Sequence, residues 1–184
     1  MQRIASHVLA SRRQRGLTLV ESLIGLAVMA VAAGAGLPGF GQMLERRQLD
    51  AAAAQFRTDL QYARSLAVAQ NRSLRISFSN GAGAGCYIVH TGGAGDCDCG
   101  ADGTPVCQAG AVAMRSEHFA ADRALRLRSN VASMVLDPAK GTVSPTGTLR
   151  VTGAGSRAVH VVVNIMGRAR MCSPGAEVPG YPRC

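Results

Sequence analysis

A chain of 184 residues has room for one domain and an additional element, not for two full domains. An aromatic content of 4% with no Trp excludes an aromatic core and leaves Leu, Val, Ile and Ala to build one, and 22 Gly speak against an all-helical chain. The net charge of +9 permits a polyanionic partner without requiring one. Arg3, Arg12, Arg13 and Arg15 precede Gly16 with no acidic residue among them, so a cut there would lower the balance to +5.

Residues 1–16 are polar and basic. Residues 17–37 hold one charge, Glu21, in an apolar run that as a helix spans roughly 30 Å, the thickness of a bilayer core. Arg12, Arg13 and Arg15 place its start in the cytoplasm, against the weaker and more distant vote of Arg46 and Arg47. Ala30-Val31-Ala32 offers a small-residue cleavage site, the mark of an ordinary secretory signal. Two features speak against that reading. A carboxylate inside an apolar span is costly and needs a reason, and the helical pattern continues past the run. Leu44, Leu49, Ala53, Phe56, Leu60, Ala63 and Ala67 recur at helical spacing, with Glu45, Arg46, Arg47, Asp50, Arg57, Asp59 and Arg64 on the other face. Pro38 is either a kink in one helix from 17 to about 70 or a stop at the membrane surface, and the continuing stripe favours the kink.

Gly16-Leu17-Thr18-Leu19-Val20-Glu21, behind a basic leader, resembles the processing site of type IV pilins and type II secretion pseudopilins. The resemblance implies a leader, 1–16, cut after Gly16 by a prepilin peptidase, with Leu17 becoming the methylated amino terminus. Leu17 stands where the family usually has Phe, and the leader is longer than most. Glu21 takes the place of the acidic residue that pairs with the terminal amine of a neighbouring subunit, and two charges costly in lipid are tolerable as a pair. The implied location is the inner membrane, crossed once by 17–37, with the remainder in the periplasm and outside the cell after assembly. The implied partners are other pilins.

After Asn71 the period changes to two. Leu74, Ile76 and Phe78 alternate with Arg75 and Ser77, and Cys86–His90 follows an Asn80-Gly81 turn. Residues 91–111 read as loop, and further strands are predicted near 123–128, 132–136, 147–152 and 158–166. The expected fold is α+β and pilin-like, a long helix packed on antiparallel sheets formed by 71–184. Cys86, Cys97, Cys99, Cys107, Cys172 and Cys184 are even in number and confined to the second half, which suits disulfides. Cys97-Asp98-Cys99 is too close for a zinc knuckle, and the sequence leaves the pairing open. Gly81-Ala82-Gly83-Ala84-Gly85 leads into a strand and lacks the Lys of a phosphate loop. Asp96, Asp98 and Asp102 lack the downstream Glu of a calcium loop. His90, His118 and His160 are scattered. No metal, cofactor or catalytic constellation is expected.

Gly167-Arg168-Ala169-Arg170 resembles the Gly-Arg-x-Arg motif of the FimT-like minor pilins within the GspH/FimT family, and Val143-Ser144-Pro145-Thr146-Gly147 resembles that family's apolar-x-Pro-x-Gly segment. The first motif implies non-specific DNA binding in natural transformation. Guanidinium groups contact phosphate in bidentate fashion. Arg168 and Arg170 would share a face of an extended strand, and Gly167 would let the backbone turn or approach closely. A Cys172–Cys184 crosslink would contribute about 3 kcal/mol and hold Arg183 near both. Lys140, Arg150 and Arg157 extend the basic patch. The competing reading is a pseudopilin of type II secretion with a structural role at the pilus tip. A third is a monotopic enzyme or receptor whose anchor mimics a pilin, and the plain reading of the motif is two arginines that merely solubilise a sheet edge.

Overall fold

The computed structural model describes residues 18–80, 85–120, 125–155 and 157–184, with the side chains of 35–39 outside the description. Gly16, Leu17 and the leader before them therefore lie outside the described residues. The chain divides into two compact units, Met1–Gly41 and Gln42–Cys184. Helix α1 runs Leu19–Gln70, so a stop at Pro38 is excluded. Thr18 caps it, its Oγ1 accepting the Glu21 N–H at 3.3 Å. Thr18-Leu19-Val20-Glu21 has capping-box spacing, and a carboxylate in the first turn suits the helix dipole. Glu21 thus has a local role that the sequence reading did not weigh. In the first unit the apolar side chains are exposed, Leu19 by 77% and Met29 by 72%. Among the described residues no helix is long and apolar enough to cross a membrane; the side chains of 35–37, the last three residues of the predicted 17–37 span, lie outside the description.

In the second unit Leu49, Ala53, Phe56, Leu60, Ala63 and Ala67 are fully buried, the stripe that the periodicity predicts, although Leu44 is exposed. The helix ends where Asn71 adopts φ 48°. Its N–H bonds to Val68 O at 3.2 Å and that of Arg72 to Ala67 O at 3.0 Å, a Schellman closure that satisfies the last carbonyls.

Strands β1 (Leu74–Ser79), β2 (Cys86–His90), β5 (Ala113–His118), β7 (Ser133–Leu136) and β8 (Val143–Ser144) form one sheet in the order β5-β2-β1-β7-β8. β6 (Arg126–Ser129), β9 (Gly147–Thr152), β10 (Ala158–Val163) and β11 (Ala169–Cys172) form a second in the order β11-β10-β9-β6. Every strand pair is antiparallel. The inner residues of both sheets, among them Ile76, Tyr87, Met134, Leu149, Val151 and Val161, join the helix stripe in one core. Phe56 lies at its centre, edge-on to Tyr87 at 5.2 Å and tilted against Phe78 at 5.9 Å.

Three expectations need correction. Residues 91–111 are not all loop: β3 (Cys97–Cys99) and β4 (Pro105–Cys107) make a small hairpin, too short and glycine-flanked for alternation to be read. Cys86–Cys99 and Cys97–Cys107 disulfides pin it over β2, which is why β2 is buried on both faces. β5 was not expected, because an edge strand half exposed throughout has no apolar alternation. Asp59 does not face solvent but is 2% exposed. It accepts hydrogen bonds from the Tyr87 hydroxyl (2.7 Å), Gln55 Nε2 (3.1 Å) and Arg115 Nη1 (3.3 Å). The Arg115 guanidinium also sits 4.4 Å over the Tyr62 ring. Burial and the Asp59 carboxylate raise the Tyr87 hydroxyl far above its ordinary value. Asp59→Ala would leave the Tyr87 hydroxyl without its buried partner, and urea unfolding of the variant should show a loss of about 2–3 kcal/mol.

Candidate nucleic-acid interface

The predicted basic residues fall into three groups. At the turn between β10 and β11, Gly167 has φ +68° and its N–H bonds to Asn164 O at 2.9 Å. A Cβ there would be a tight fit, 3.2 Å from Val143 Cγ2 and 3.3 Å from Arg64 Cδ, and the left-handed backbone favours glycine. Arg168 is exposed in this turn, its N–H held by Asn164 Oδ1 at 2.9 Å. It precedes β11, so the strand alternation that would align it with Arg170 starts only at Ala169. The Arg64 side chain also reaches Gly141, beside the exposed Lys140. Lys140 and Arg168 therefore flank Arg64 of α1, which nothing in the sequence connects to them.

The second group lies on the outer face of the four-stranded sheet. Arg170 is opposite Val162, and Arg150 is opposite His160 on one side and Arg128 on the other. Arg126 is opposite Thr152. Arg126, Arg128, Arg150 and Arg170 are all exposed, and among the described residues none of them has an acidic partner. Burial, then the Arg150 charge, lowers the pKa of His160. Arg126 and Arg128 were missed at the sequence level although Arg126-Leu127-Arg128 shows the alternation. What the sequence lacks is the register that lines them up with Arg150.

The third group is Arg157, which is engaged elsewhere, and Arg183 on the tail. Arg157 donates to Glu45 Oε2 in a short, half-buried ion pair, and Glu45 Oε1 accepts the Gly155 N–H at 3.0 Å. The Arg157 hydrogen bond, then that of Gly155, holds the Glu45 carboxyl below its usual range. Arg157 thus joins the β9–β10 turn to α1 and is not a free cation. Arg183 is exposed on the tail, which the Cys172–Cys184 disulfide ties back to β11. The Ser173 N–H bonds to Pro182 O at 2.9 Å, and Val178 is buried in the core. Burial and a hydrogen bond to Asp50 push the Tyr181 hydroxyl up to about 12.

His90 is fully buried beside Ser77, its Nε2 2.8 Å from Ser77 Oγ, and burial lowers its pKa. It lines no basic group of the surface.

Residues 52–167 match the family described as Type II transport protein GspH, and residues 11–37 match the prokaryotic N-terminal methylation motif. No curated protein matches the chain. Among solved structures, the type IV minor pilin FimU of Pseudomonas aeruginosa strain PAO1 is similar at 22% identity, covering 76% of this chain and 98% of that one, with a TM-score of 0.49. The minor pseudopilin EpsH of the Vibrio cholerae type 2 secretion system is similar at 13% identity, covering 69% and 98%, with a TM-score of 0.46. The family match spans more than half of the chain, which therefore belongs to the GspH family. It also bears the prokaryotic N-terminal methylation motif.

Arg128 and Arg150 face each other directly, and like charges opposite one another across strands are destabilising. Arg128→Thr should therefore raise the melting temperature by about 1–2 °C at low ionic strength, an effect that added salt removes.

Proposed function

We propose that this chain is a minor pilin of a type IV pilus that binds extracellular DNA non-specifically for natural transformation. It is made with a leader, 1–16, cut after Gly16 by prepilin peptidase and methylated on Leu17. The segment 17–37 anchors it in the inner membrane, with 71–184 in the periplasm and outside the cell after assembly. Glu21 meets the terminal amine of a neighbouring pilin, which offsets the cost of a carboxylate among exposed apolar side chains. The observation that carries the DNA reading is the set of exposed arginines without acidic partners among the described residues, Arg150, Arg168, Arg170 and Arg183, gathered at one sheet and its tied-back tail. Lys140 adds to it from the neighbouring turn.

The second reading is a minor pseudopilin with a structural place at the tip of a type II secretion pilus. The description of the matching family favours it. DNA binding separates the two. The full chain in neutral detergent should retard a labelled duplex at low salt, with log K falling by about 0.9 per log unit of salt for each phosphate neutralised. Arg168→Ala with Arg170→Ala should weaken binding about fivefold or more across unrelated sequences. A chain that shifts no DNA at low salt is a pseudopilin or a structural pilin.

A further inference from the structure

We propose that the outer face of the β11-β10-β9-β6 sheet is a track for the phosphate backbone of duplex nucleic acid, with Arg126, Arg128 and Arg150 as its contacts and Arg170 at its β11 end. The proposal rests on the DNA-binding reading above and extends it from the carboxy-terminal motif to the opposite edge of the sheet.

Register supplies the alignment. Arg128, Arg150 and His160 stand side by side on β6, β9 and β10, with Arg126 two residues along β6 and Arg170 two residues along β11 from the end of that row. The remainder of the face is Thr148, Thr152, Ala158, Val162 and, at the β11 end of the row, the buried Cys172 that bonds to Cys184 of the tail. None of the four strands contains an acidic residue. No negative charge interrupts the face, and its guanidinium groups lie on β6, β9 and β11, with Ala158, His160 and Val162 of β10 between them. Four strands at their usual spacing cover about 14 Å, the rise of roughly four phosphates along one DNA strand. The guanidinium groups on β6, β9 and β11 offer the planar, two-pronged donor that phosphate accepts.

The face also indicates which nucleic acid it takes. Single strands are held by stacking their bases on aromatic side chains, and this face has no Phe, Tyr or Trp, only the half-buried imidazole of His160. It can meet a backbone but offers little platform for successive unstacked bases. Duplex is therefore bound at least as tightly as a single strand of the same length. The direct Arg128–Arg150 opposition is unfavourable in the free protein, and a polyanion across the two strands relieves it.

The test uses the full chain in neutral detergent, a labelled duplex and single strand of about 30 nucleotides, and a salt series. Arg126→Gln with Arg128→Gln should weaken duplex binding about tenfold at low salt and lower the salt slope by about 2, while the melting temperature is unchanged or raised. Arg126→Lys with Arg128→Lys should keep the slope. If the Gln pair melts lower than the native chain, the single Arg150→Gln substitution takes its place, with a slope expected to fall by about 1. A Gln pair that binds duplex as well as the native chain, while Arg168→Ala with Arg170→Ala loses binding, overturns the track and leaves the DNA reading standing. A native chain that binds neither probe overturns both. Tighter binding to the single strand, or displacement of duplex by heparin at a lower concentration of charge than by unlabelled duplex, overturns the choice of ligand.

Discussion

The apolar surface of α1 has to be covered, and the way it is covered differs along the helix. From Leu49 to Ala67 the cover comes from the chain itself, since both sheets turn their inner residues onto one stripe. Ala53, Ala63 and Ala67 keep that stripe narrow, and Phe56 fills the space beside Tyr87 and Phe78. These six side chains and the strand residues packed on them bury the apolar surface that, at about 25 cal/mol per Å², drives folding of this unit. From Leu19 to Val31 nothing in the described chain covers comparable side chains. Water is a poor environment for them, and the proposed function supplies lipid and the helices of other subunits as their cover.

With the inner faces of the sheets committed to the helix, function is left to the outer faces and the connections. The polar links between elements use up specific charges. Asp59 holds Arg115, and Glu45 holds Arg157. Two disulfides fix the β3–β4 hairpin and a third fixes the tail. The arginines that remain on the four-stranded sheet and its tail have no comparable structural task among the described residues, and their mutual repulsion has a cost. That imbalance points to a polyanion more directly than net charge does.

The helix stripe was legible because its period of 3.6 residues is local, and most inner strands were legible because alternation over five or six residues is local too. Where burial depended on distant residues, local pattern failed. Asp59 reads as a surface charge because Tyr87 and Arg115, its partners, lie far along the chain. β5 and β11 went unread or misplaced as half-exposed edges. Of the proposed DNA contacts, Arg150 and Arg170 were legible from their charge and position, and Arg157 was equally legible although Glu45 claims it. Arg126 and Arg128 required the pairing of β6 with β9, and Arg64 required the approach of Gly141 and Gly167 to α1.

In the proposed function the exposed half of α1 is covered by a membrane and by neighbouring subunits after processing. Mass measurement of the intact protein extracted from membranes tests it most directly. The account predicts a chain that begins at Leu17, carries one methyl group on its terminal amine and contains three disulfides. A membrane-bound chain still beginning at Met1, or a soluble one beginning beyond Ala32, would contradict it.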